Sequence, residues 1–122
     1  MPKDDPWTGC GISWLWGTSE DDPFYEACVW HDEATTEGSW YQKNKTLDYV
    51  QRVFKRKIDS IIARYPEYTI RGDAYKAIAD LVTPFFWEGR QSEIPKDVVR
   101  EVKRIEIASN IIGATSVGSV LV

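Results

Sequence analysis

Apolar residues recur at helical spacing along much of the chain. Leu47, Val50, Phe54, Ile58, Ile61 and Tyr65 keep the three-and-four-residue rhythm of one helix face, with Arg52, Lys55, Arg56 and Asp59 on the wet side. Thr46 suits an N-cap and Tyr65-Pro66 a stop, so a helix is predicted from Thr46 to about Arg64. Upstream, Phe24, Ala27, Cys28, His31 and Ala34 share a face. Asp22 is a favoured cap and Pro23 tolerates the first helical position, so this helix should start there and fade near Thr35-Thr36-Glu37-Gly38. Two further helices are predicted, from Asp73 to Val82 before Pro84 and from Pro95 to about Ala108. Strand signals are confined to Tyr68-Thr69-Ile70 and the Val/Ser/Gly-rich end. Met1 to Asp22 lacks periodicity and reads as an ordered loop, giving a mainly α architecture with a long N-terminal loop.

At 122 residues the chain fits one domain, with 43% hydrophobic and 28% charged residues, a balance that favours folding over disorder. The net charge of -4 argues against a nucleic-acid binder. It conceals an acidic front: residues 1–40 hold nine Asp/Glu and one Lys, whereas residues 41–122 hold ten Asp/Glu and fourteen Lys/Arg. One histidine and two cysteines, Cys10 and Cys28, cannot close a structural zinc site without carboxylates, and no phosphate-loop or dinucleotide glycine pattern occurs. Met1-Pro2-Lys3-Asp4-Asp5 carries no secretory signal. The longest uncharged run, Ile107 to Val122, is too short and too polar to span a membrane and reads as a packing end, an interfacial segment or a docking tail for a protein partner.

The candidate chemistry lies between Gly9 and Asp48. His31 sits on the apolar face of its helix with Asp32 at the edge of that face, downstream of Gly9-Cys10-Gly11. One reading is a satisfied core histidine beside a surface aspartate. The other is calcium-assisted ester hydrolysis. Calcium prefers carboxylate and carbonyl oxygens, and a Gly-containing loop lets several carbonyls turn toward one ion. In that reading the imidazole takes a proton from water, and the ion steadies the oxyanion.

Tyr25-Glu26-Ala27-Cys28-Val29-Trp30-His31-Asp32-Glu33-Ala34 resembles the catalytic helix of secreted-type phospholipases A2, with their Cys-x-x-His-Asp core. It is similar also to the compact phospholipase A2 domains of viral capsid proteins, which share His-Asp-Glu-Ala. Gly9-Cys10-Gly11 resembles the family's calcium loop, and the likeness covers roughly Trp7 to Phe54. The resemblance implies a single domain over 1–122, with catalytic elements in 7–64 and further helices and the uncharged tail in 73–122. It implies His31 as general base and Asp32 as the calcium carboxylate. The carbonyls of Gly9, Gly11 and Ser13 would be loop ligands, and Asp48 the acceptor behind His31. It also implies a Cys10–Cys28 disulfide and hydrolysis of the sn-2 ester of glycerophospholipids at a membrane surface. A secreted or virion-associated protein fits this picture, as does an inactive structural or binding protein on the same scaffold. A helical interaction protein unrelated to lipid is the remaining alternative.

Several of these residues have a plainer reading. Asp48 in a first helical turn suits the helix dipole, and Arg52 stands four residues on as an ion-pair partner. Thr35 stands where the family carries a tyrosine, and Ser13-Trp14 where it carries two glycines. In a reducing compartment both cysteines would stay free, Cys28 as a small core residue. Trp14 and Trp16 flank the loop and are candidates for a lipid-facing rim or for core filling, the latter being the better reading of Trp30. The cluster Arg52, Lys55, Arg56 and Lys57 is either a solvated face or a site for anionic lipid.

Overall fold

A computed structural model describes residues 22–109. Within them the chain is mainly helical: α1 (Tyr25–Thr35), α2 (Trp40–Asn44), α3 (Leu47–Arg64), α4 (Thr69–Trp87) and α5 (Lys96–Ser109), with single 3-10 turns at Pro66–Tyr68 and Gln91–Glu93. No strand occurs among the described residues. No helix among them is long and apolar enough to cross a membrane.

α3 begins as its sequence requires. Thr46 is extended, and its side chain accepts a hydrogen bond from the Tyr49 amide at 3.1 Å, satisfying one orphan N–H of the first turn. Val50, Phe54, Ile58 and Ile61 from the expected stripe are buried, whereas Tyr65 is exposed. At α1, Asp22 lies before the helix and its carboxylate accepts from the Phe24 amide at 2.8 Å, so the helix proper opens at Tyr25. Gly38, at φ +82°, turns the chain from α1 toward α2, a left-handed position that a β-carbon disfavours. Ser39 then caps α2 by accepting from the Gln42 amide at 3.0 Å.

α4 departs from expectation at both ends. Tyr68-Thr69-Ile70 is not a strand; it closes a 3-10 turn and opens the helix. At the other end the helix passes Pro84 and stops at Trp87. Proline removes one backbone donor and crowds the carbonyl four residues earlier, but here it lies in the last turn, where little helix remains to be broken. The actual stop is Gly89 at φ +69°. Its amide reaches the Phe86 carbonyl at 3.1 Å and the Arg90 amide reaches Phe85 at 2.7 Å, the paired closure of a Schellman cap.

The helices pack in the sequence α1 on α3, α3 on α4 and α4 on α5. Phe24 and Cys28 of the first segment meet Phe54, Ile58 and Ile61 of α3, then Tyr75, Ile78 and Val82 of α4, and finally Val102 of α5. Each large side chain so enclosed contributes about 2 kcal/mol of transfer free energy. Gly72 allows α3 and α4 to approach closely, since a β-carbon there would stand 2.5 Å from Ile62 Cδ1. Arg71 ties the start of α1 to α4: it pairs with Asp22, donates to the Tyr75 hydroxyl at 3.1 Å and lies 5.3–5.8 Å from the ring centres of Phe24, Tyr68 and Tyr75.

Candidate active site

His31 is delivered to the interior because its helix buries the face carrying Ala27, Cys28 and Ala34. Only 5% of its surface is exposed. Its ring lies against Phe54 of α3, with centres 4.1 Å apart and planes inclined by 31°. Nε2 is 2.6 Å from Oε1 of Gln51, also on α3, and the amide nitrogen of Gln51 donates to the Ala79 carbonyl of α4 at 3.1 Å. This chain of contacts fixes the proton. Because the Gln51 nitrogen faces a carbonyl, its oxygen faces the imidazole, and an amide oxygen only accepts. A neutral His31 therefore carries its hydrogen on Nε2 and its lone pair on Nδ1.

Burial pulls the imidazole down from its ordinary 6.5 to about 4, against the opposing effects of the Gln51 hydrogen bond and the more distant charge of Asp80. The ring is thus neutral across the physiological range. The neutral Gln51 amide gives an imidazolium at this position no counter-charge, where a carboxylate would have supplied one.

The acceptor behind the ring is Gln51 and not Asp48. Asp48 points to solvent with 79% of its side chain exposed and pairs with Arg52 at 3.0 Å. The first-turn position and the ion pair with Arg52 both hold Asp48 on the surface of α3. The signal for Gln51 was present in the pattern: it falls four residues after Leu47 and three before Phe54, on the buried stripe. A polar side chain at such a position needs a partner inside.

Asp32 follows His31 on α1 and is half-buried, and its backbone carbonyl accepts from the Thr36 hydroxyl at 2.7 Å. Thr35 turns its hydroxyl back onto the His31 carbonyl at 2.8 Å within its own helix. Cys28 is fully buried in the core. Cys10, Gly9, Gly11, Ser13, Trp14 and Trp16 lie outside the described residues, as does the tail from residue 110, while Ile107 is a half-exposed residue of α5. Trp30 packs against the core and meets Tyr41 edge-on at 5.4 Å, in keeping with a filling role.

Of the predicted catalytic and metal set, then, His31 and Asp32 share one helix at the core edge, and Asp48 stands apart. Among the described residues, no group of three or more His, Cys, Asp or Glu side chains is placed to hold a metal. No protein-family model matches the chain, and neither the curated proteins nor the solved structures yield a match.

Proposed function

We infer that this chain is a phospholipase A2-like ester hydrolase acting at a phospholipid surface, with His31 as general base and Gln51 as its positioning residue. The observation that carries this reading is the His31–Gln51–Ala79 chain, which leaves the Nδ1 lone pair as the basic atom of a ring held by α3 and α4. From Nδ1, His31 removes a proton from water as the water adds to the ester carbonyl. The same proton then passes to the leaving alkoxide, so the ring ends the cycle neutral. Phe54 keeps the imidazole plane from turning, and Gln51 keeps the tautomer. Asp32 supplies the carboxylate for calcium, with Gly9, Gly11 and Ser13 as the implied carbonyl donors. Bound there, calcium would polarise the ester carbonyl and stabilise the oxyanion.

A second reading is favoured by a specific observation, the neutral acceptor behind a ring already lowered to about 4. Such a base is weak, and a scaffold that has given up catalysis for a virion or other binding role would look the same. One assay separates the two. Fatty-acid release from phospholipid vesicles in calcium, lost in chelator and reduced at least a hundredfold by His31→Ala and by Asp32→Ala, is expected of the hydrolase. Calcium binding without release leaves the binding scaffold. If calcium neither binds nor raises the melting temperature, a helical interaction protein remains.

A further inference from the structure

The basic cluster of α3 divides into two parts with different surroundings. Arg52 pairs with Asp48 at 3.0 Å and Lys55 with Asp80 at 2.9 Å, so both charges are answered. Arg56 and Lys57 point elsewhere, and together with Arg64 they line a groove of about 390 Å³ between α3 and the first turns of α1. None of these three cations is ion-paired among the described residues. The Lys57 ammonium is 5.0 Å from the Trp30 ring centre, and Arg64 lies 5.9 Å from that of Tyr65, contacts that leave their hydrogen-bond donors open to a ligand.

The lining has a definite chemistry. Val53, Arg56, Lys57, Ser60, Ile61 and Arg64 recur every three or four residues and so share one face of α3. Ala27, Val53 and Ile61 supply an apolar side and Ser60 a hydroxyl, and among the described residues Glu26 is the one lining carboxylate against three cations. Two guanidinium-bearing residues and a lysine lining one concave space suit a doubly charged, multi-oxygen anion better than a carboxylate. Arginine binds phosphoryl oxygens two at a time, and a third cation answers the second charge.

We propose that the groove between α1 and α3 binds the phosphate of a phosphate monoester, with Arg56, Lys57 and Arg64 as its cationic clamp and Ser60 as a hydroxyl donor. The proposal is independent of the hydrolase reading, because the groove uses neither His31 nor Asp32. The apolar side accommodates the first carbons of the esterified group, so glycerol 3-phosphate should bind more tightly than inorganic phosphate. Glu26 limits affinity by like-charge repulsion.

The test is titration calorimetry of the intact chain with glycerol 3-phosphate and with inorganic phosphate. Binding is expected for both. Arg56→Gln and Arg64→Gln should each weaken it at least tenfold, Glu26→Gln should tighten it several-fold, and Arg52→Gln should leave it unchanged. All four positions are exposed on the helices, and an unaltered melting temperature certifies each fold. Phosphatidylcholine vesicles with and without phosphatidate identify the source. Phosphatidate-dependent binding competed by glycerol 3-phosphate marks a lipid headgroup, and binding of the soluble ester alone marks a free metabolite. Absence of binding, or equal weakening by Arg52→Gln, overturns the proposal. Tighter binding of a short oligonucleotide than of either phosphate would do the same.

Discussion

His31 and Glu106 are two groups that burial drives toward their neutral forms, the imidazole down to about 4 and the carboxyl up to about 8. Their surroundings differ in one respect. His31 lies in the α1–α3 contact with its Nε2 hydrogen received by Gln51. Glu106 is wholly enclosed in the last turn of α5, and both its carboxylate oxygens lack a hydrogen-bond partner among the described residues. Burial is the main cause of its shift, and the Lys103 charge opposes it only in part. The negative end of the helix dipole adds to its difficulty there. A group whose neutral form is hydrogen-bonded stays neutral at modest cost, whereas an unpartnered one loads its desolvation onto the stability of the fold.

The largest expected effect comes from the unpartnered group. Because folding raises the Glu106 carboxyl from 4.5 to about 8, its contribution is complete below pH 4.5 and lost as pH climbs through 8. Chemical denaturation should therefore show Glu106→Gln gaining roughly 3–5 kcal/mol over the native chain at pH 9 and little at pH 4.5. A difference independent of pH would mean that Glu106 is ionised in the fold and has a partner.

His31 gives the next largest effect, with the opposite slope. Folding lowers the imidazole from 6.5 to about 4, so above pH 6.5 both states are neutral and nothing is lost. Between 6.5 and 4 the unfolded chain takes up a proton that the fold refuses, and stability falls with pH by roughly 3 kcal/mol. In the native chain the two slopes oppose each other between pH 4.5 and 6.5, so its stability should be nearly level there and decline above. The Glu106→Gln background exposes the histidine limb alone. If the chain hydrolyses lipid, the acid limb of kcat/KM should fall near pH 4, well below the range of a free imidazole.

The same contrast explains what the sequence disclosed. α3 was legible because cap, apolar rhythm and stop agree: Thr46, the stripe from Leu47 to Ile61, and Tyr65-Pro66. The sequence pattern ends α4 too early because Pro84 carries a strong local signal, while the Gly89 cap that decides the end lies beyond it. The five-residue α2 is too short to show a period. At the site, His31 and Asp32 were legible as a pair. The ring's partner was not, because a search for charge passes over a neutral amide and selects Asp48, whose neighbour in space is Arg52. Glu106 was hidden for the converse reason: amid Glu101, Lys103 and Arg104 it looks like one more surface charge.

Removing the partner tests the other half of the comparison. Gln51→Leu keeps the apolar stripe but leaves the Nε2 hydrogen unreceived, making His31 resemble Glu106 in kind. A loss of about 1–3 kcal/mol is expected at pH 7, read from denaturant midpoints. Glu at the same position goes the other way. The carboxylate keeps an acceptor opposite Nε2 and adds a counter-charge, while the donor to the Ala79 carbonyl is lost. These terms oppose, so the net change in stability at neutral pH should be the smallest of the series, within about 1 kcal/mol. The protonation of the ring should nevertheless change most of all. Imidazole resonances followed by NMR are expected to titrate at least one pH unit above the native value in Gln51→Glu, because a carboxylate favours imidazolium and an amide does not. An unchanged titration would show that burial alone sets the ring, and that Gln51 fixes its tautomer without controlling its charge.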